Sequence, residues 1–166
     1  MNIIEGGVTA AQGFEAAGIE AAIKYQNRKD MAMVYSRTSC RAAGVFTSNV
    51  VKAAPVLWDK KIVENSPAVQ AVIVNSGIAN ACTGKAGYDC CRQTAEKTAQ
   101  LLGISPDAVL VASTGVIGNQ IPVDKLLAGV EKLAAAKADT QEAGTLAAEA
   151  IMTTDTVSKQ AAVQIE

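Results

Sequence analysis

Two apolar runs in this chain stop in the same abrupt way. Ala71-Val72-Ile73-Val74 ends at Asn75-Ser76-Gly77, and Val109-Leu110-Val111-Ala112 ends at Ser113-Thr114-Gly115. Short apolar runs rich in β-branched residues and bounded by turn formers read as buried strands. Between them, residues 85–102 place Cys91, Ala95, Thr98 and Leu102 on one helical face, with Glu96, Lys97 and Gln100 on the others. Gly103 then stops that helix. After the second run Pro122 opens another helix, with Leu126, Leu127, Val130 and Leu133 as its apolar stripe. Strand–helix–strand–helix order through the middle of a chain predicts a layered α/β architecture of mixed sheets and helices.

The flanking segments fill in the rest. Residues 1–24 are punctuated by Gly6, Gly7, Gly13 and Gly18 and read as strand and turn, although Phe14 to Lys24 also fits a weak helix. Residues 31–35 and 42–46 read as short strands, and Pro55 begins a helix. A polar break over 137–140 precedes a helix at 142–152, and residues 161–165 read as a strand. That last strand has no evident partner, so an unpaired edge is expected there, to be covered by a further polypeptide. Residues 1–166 contain no repeat, low-complexity tract or linker, which predicts a single domain.

Composition excludes several classes. Fifteen basic and 16 acidic residues are interspersed, giving a net charge of −1 and no basic stripe for nucleic acid. Aromatic residues are too few for a base-stacking platform. No apolar stretch approaches a membrane span, and the opening residues lack a signal pattern, so a cytoplasmic protein is expected. Cys40, Cys82, Cys90 and Cys91 form no CxxC, and we expect packing thiols rather than metal ligands, with at most one of Cys90 and Cys91 facing the core fully. There is no histidine. A Ser-His-Asp or Cys-His pair within this chain is therefore excluded, and any general base must be a carboxylate, a lysine, an α-amine or a group on another chain.

Three stretches could carry chemistry. The loop 75–85 lies between a strand and a helix, where phosphate loops occur. Six residues separate Gly77 from Gly84, however, and Ala86 follows Lys85, so it is not a P-loop. A turn with Thr83 as helix cap accounts for it equally well. Thr114-Gly115 ends a strand, where a hydroxyl and a closely approaching backbone N–H can face an oxyanion; an ordinary strand-to-loop transition has the same composition. Thr153-Thr154-Asp155-Thr156 could orient a polar substrate, or could be a helix end with Asp155 in a local turn bond. The residues alone leave the roles of Asn75, Asn80 and Asp155 open.

Five stretches together resemble one family. They are "GGVTAAQGFEAAG" at 6–18, "AAGVFTSNVVKAAPVLW" at 42–58, "VNSGIANACTG" at 74–84, "LLGISPDAVLVASTGVIG" at 101–118 and "AIMTTDT" at 150–156. Their order and spacing are similar to those of the ornithine acetyltransferases of arginine biosynthesis, also called glutamate N-acetyltransferases (the ArgJ family). The resemblance implies an α chain completed by a β chain whose N-terminal threonine is the nucleophile, in an α2β2 assembly. It implies that Thr114 and Gly115 form the oxyanion hole and that Thr153 contacts substrate, with N-acetylornithine and glutamate as substrates. It implies no metal and no cofactor, and it leaves open whether acetyl-CoA is also a donor. An N-terminal threonine supplies its own base through its α-amine, which accommodates the missing histidine. The chain departs from the family pattern in ending at Glu166, before a Lys-Gly-rich segment and the self-cleavage junction, and in carrying Ile78 where many relatives have asparagine. Without the nucleophile, this chain alone is expected to be inactive.

Two other classes compete. A self-processing aminopeptidase with an N-terminal nucleophile would pass its acyl group to water. A non-enzymatic α/β module would bind a small molecule at 74–85. Acetyl transfer to glutamate distinguishes the first, and nucleotide titration followed by Trp58 fluorescence distinguishes the second.

Overall fold

The computed structural model describes residues 1–66 and 68–165. Its main sheet contains β2 (Phe14–Ile19), β3 (Met31–Cys40), β4 (Val69–Asn75) and β5 (Val109–Ser113), in that spatial order. Strand β3 runs antiparallel to both of its neighbours, β2 and β4, and β5 runs parallel to β4. Parallel neighbours need a crossover, and α2 (Gly84–Leu102) supplies it. The helices α1 (Ala54–Asn65), α3 (Val123–Ala136) and α4 (Gln141–Ala150) complete the layers. No helix is long and apolar enough to cross a membrane among the described residues.

Strand alternation sorts the core onto two faces. Ala17, Met31, Met33, Ala71, Ile73, Val109 and Val111 meet Trp58 and Ile62 of α1, Cys90, Cys91, Ala95 and Ala99 of α2, and Leu126, Val130 and Leu133 of α3. On the opposite face Ala16 and Ala32 meet Ala147 and Ala150 of α4, with Val74 alongside. This second layer is built of small residues because α4 lies directly on the β2 backbone. A Cβ at Gly18 would stand 2.0 Å from the carbonyl oxygen of Leu146.

The outer edge of β5 is closed by side chains of α1. Trp58 Nε1 donates to the Val109 carbonyl at 3.0 Å, and the Val111 N–H donates to Asp59 Oδ1 at 2.9 Å. Burial pushes the Asp59 carboxyl up to about 6, although the Val111 N–H works in the opposite direction.

Several expectations require correction. Phe14 to Ile19 is a strand, and no helix forms there. Residues 42–46 form no strand: Val45 is fully exposed, and β3 runs out at Cys40 after a register shift beyond Tyr35. The C-terminal strand β6 (Ala162–Gln164) is not unpaired, because β1 (Asn2–Ile4) lies antiparallel to it. The helix expected at 142–152 is α4, ending at Ala150. Cys90 and Cys91 are both buried. Adjacent helical residues diverge by about 100°, but α2 is flanked by α1, β5 and α3, so its buried arc is wide enough for both.

Candidate active site

The turns after β4 and β5 leave the same end of a parallel strand pair, where open α/β sheets form their clefts. They are joined along their length. Asn75, buried, accepts the Ser113 hydroxyl on Oδ1 at 2.6 Å and donates from Nδ2 to the Ile78 carbonyl at 2.8 Å. Its own carbonyl accepts the Thr114 N–H at 3.0 Å. Beyond it, Val116 N–H donates to the Gly77 carbonyl and Ala79 N–H to the Val116 carbonyl. Between these bonds the chain passes through Gly115 at φ +131°.

This pairing leaves a particular set of donors over. The Thr114 and Val116 N–H groups are consumed by the facing turn. Thr114 Oγ1 and the Gly115 N–H have no hydrogen-bond partner among the described residues. Both residues line a cleft of about 480 Å³, shared with Lys24, Tyr25, Arg28, Asp30, Ser76, Gly77, Val116, Thr153 and Thr154. The structure thus brings Thr114, Gly115 and Thr153 to one cavity, although Thr153 lies 38 positions beyond Gly115 in sequence.

The segment that carries Thr153 is held by two side chains. Ser76 Oγ donates to the Ala150 carbonyl at the end of α4, at 2.7 Å. Arg28 Nη2 donates to the carbonyls of Met152 and Thr153, the latter at 3.0 Å. Arg28 belongs to the β2–β3 connection, which forms the other wall. Asp30 fixes that connection by accepting the N–H groups of Ala21 and Ile23 at 2.7 and 2.6 Å. Lys24 and Tyr25 follow, with the ammonium 4.7 Å from the ring centroid.

Other candidate residues lie elsewhere. Thr83 does not cap α2 with its side chain; its hydroxyl donates to Asn80 Oδ1 at 2.6 Å. Asn80 in turn donates to the Gly87 carbonyl, so it ties loop to helix away from the cleft. Asp155 makes an ion pair with Lys159, which holds its carboxyl below the usual range, rather than only a local turn bond. Among the four thiols Cys82 is exposed, and burial pushes Cys91 up to about 12. Among the described residues no group of three or more His, Cys, Asp or Glu side chains is placed to hold a metal. Arg28, Asp30, Ser76 and Lys24 were not singled out from the sequence for this site. The signal for Ser76 was the pair of matching strand ends, Asn-Ser-Gly and Ser-Thr-Gly; the polar 24–30 segment carried none.

The chain is a layered α/β domain whose parallel strand pair ends at a cleft lined by Thr114 and Gly115. A family model described as the ArgJ family matches residues 15–166, and the chain belongs to that family. The arginine biosynthesis bifunctional protein ArgJ of Symbiobacterium thermophilum is 51% identical over 168 residues, covering 100% of this chain and 41% of its own length. The protein of the same name from Gloeobacter violaceus is 47% identical over 161 residues, covering 97% of this chain and 39% of its own. The chain thus spans about two fifths of the length of these curated relatives. The crystal structure of ornithine acetyltransferase complexed with ornithine from Mycobacterium tuberculosis superposes with a TM-score of 0.90 at 45% identity, covering 94% of this chain and 84% of that one.

Proposed function

We propose that this chain is the α portion, one domain over residues 1–166, of an ornithine acetyltransferase that moves acetyl from N2-acetylornithine to glutamate in arginine biosynthesis. The nucleophile is the N-terminal threonine of a partner β chain in an α2β2 enzyme. Its hydroxyl attacks the acetyl carbonyl while its own α-amine takes the proton. The tetrahedral oxyanion is held by Thr114 Oγ1–H and the Gly115 N–H. The C–N bond then breaks, the proton passes to the departing amine, and ornithine leaves an acetyl-threonine ester. The glutamate amine attacks that ester, and N-acetylglutamate departs with the threonine restored. Thr153, on the other side of the cleft, contacts the substrate. The cycle draws on no metal or cofactor, and acetyl-CoA is unassigned as a second donor. The reaction is cytoplasmic.

The observation that carries this reading is the uncommitted donor pair. Flanking N–H groups are tied up, while Thr114 Oγ1 and the Gly115 N–H stay available on the cleft wall. Preorganised donors of this kind stabilise charge without reorganising during the reaction. Family membership and the ornithine complex of the M. tuberculosis relative support the choice of substrate.

Steady-state kinetics of the complete enzyme test the covalent intermediate. Rates against N-acetylornithine at several fixed glutamate concentrations are expected to give parallel double-reciprocal lines, the ping-pong pattern. Intersecting lines would replace the acetyl-threonine with direct transfer in a ternary complex.

A further inference from the structure

The turn Asn75-Ser76-Gly77 touches both halves of the proposed site, and it does so with different groups. Asn75 reaches forward into the β5 turn. Its carbonyl takes the Thr114 N–H, and its side chain bridges Ser113 Oγ and the Ile78 carbonyl, with both amide atoms used and the residue 3% exposed. Ser76, 1% exposed, faces the other way and holds the Ala150 carbonyl, where α4 ends and the path to Thr153 begins. Gly77 supplies the packing surface between them. A Cβ on Gly115 would stand 2.3 Å from the Gly77 carbonyl carbon, so the two turns are in backbone contact.

We infer that Asn75 and Ser76 are positioning residues with separate kinetic duties, an inference that rests on the acetyl-transfer reading above. Asn75 sets the distance and direction of the Thr114 hydroxyl and Gly115 N–H, and so acts on the transition state. Ser76 sets the position of Thr153 and so acts on substrate binding. The side chains work through hydrogen bonds on the buried side of the turn. A buried amide with every polar atom paired has one geometry available to it, which it passes on to the strand end it grips. Misplacement of a catalytic group by about 1 Å is enough to cost on the order of a hundredfold in rate.

The test uses the complete enzyme, α chain with β chain, assayed for acetyl transfer from N-acetylornithine to glutamate. Asn75→Ala is expected to lower kcat by roughly tenfold to a hundredfold with little change in KM. In a Thr114→Ala background the same change should cost only about a few-fold, because one of the two donors it positions is already gone. Ser113→Ala, which removes a half-buried hydroxyl and strips Asn75 Oδ1 of its partner, should move kcat in the same direction and decides the matter where Asn75→Ala fails to fold. Ser76→Ala is expected to raise KM for N-acetylornithine while leaving kcat within about a few-fold. Equal costs of Asn75→Ala in the two backgrounds would overturn the inference, as would Ser76→Ala lowering kcat with KM unchanged. Thr114→Ala impaired beside a fully active Asn75→Ala defeats the positioning role alone. Thr114→Ala fully active defeats the oxyanion reading and this inference together.

Discussion

At Gly115 two constraints coincide. The backbone at φ +131° suits no L side chain, and the Gly77 carbonyl occupies the space a Cβ would need. Gly115→Ala is therefore expected to open the paired turns, costing about 1–3 kcal/mol in urea unfolding and most of the turnover; normal turnover would show that the pairing is dispensable. Asp59 is a residue-scale case with the opposite economy. Its carboxyl titrates near 6 in the folded chain, above the ordinary 3.8, so the folded state holds that proton more tightly. Its contribution to stability is therefore full below the unfolded value and is lost as pH rises through about 6. Asp59→Asn keeps an acceptor for the Val111 N–H and removes the charge. Urea titrations should find it more stable than wild type at pH 8, with the difference vanishing near pH 4. A less stable variant at pH 8 would mean that the charge strengthens the edge bond by more than its burial costs.

Among the elements, α1 and α4 act as braces for the strands that carry the cleft. Trp58 closes the β5 edge from α1, and removing its N–H leaves the buried Val109 carbonyl without that partner. Trp58→Phe is expected to destabilise by about 1–3 kcal/mol, whereas Leu57→Ala, at a 47% exposed neighbour, should stay within about 0.5 kcal/mol in the same urea experiment. Comparable losses for both would reduce the Trp58 bond to ordinary packing. The helices and the two strands of the opening argument were legible because apolar period and turn formers agreed at each. Residues 42–46 were not, since Ala-Ala-Gly-Val-Phe carries strand-like residues with no partner strand to pair with, and pairing is a tertiary fact. The Cys90–Cys91 pair misled for a related reason: a helix wheel assumes one buried face, whereas α2 has neighbours on several sides. The β1–β6 pairing joins residues about 160 positions apart, a separation that local pattern does not encode.

For the molecule as a whole, the chemistry converges from three distant stretches: the β2–β3 connection, the two strand-end turns, and the segment after α4. From the residues alone the strand-end turns also read as plain turns and the 153–156 stretch as a helix end, while the β2–β3 connection carried no signal. Thr114, Gly115 and Thr153 were named through family resemblance, and their shared cleft follows from β4 and β5 being parallel neighbours with α4 on the opposite sheet face. Arg28 and Asp30 stayed invisible because a charged residue in a connection looks the same in sequence whether it bonds to backbone groups, as both do here, or only to water. The proposed division of labour makes this chain the holder of the oxyanion and its partner the source of the nucleophile. The purified 166-residue chain is therefore expected to show no acetyl transfer by itself and to gain it with a threonine-initiated β chain. The most direct test is the turnover of the complete enzyme carrying Thr114→Ala beside Thr114→Ser. Loss of one oxyanion donor is expected to lower kcat by on the order of 10²–10³ in the alanine variant with KM changed far less, while serine, which keeps the hydroxyl, retains most of the rate. An alanine variant turning over at the wild-type rate, or a serine variant as impaired as alanine, would contradict the assignment of the Thr114 hydroxyl to the oxyanion.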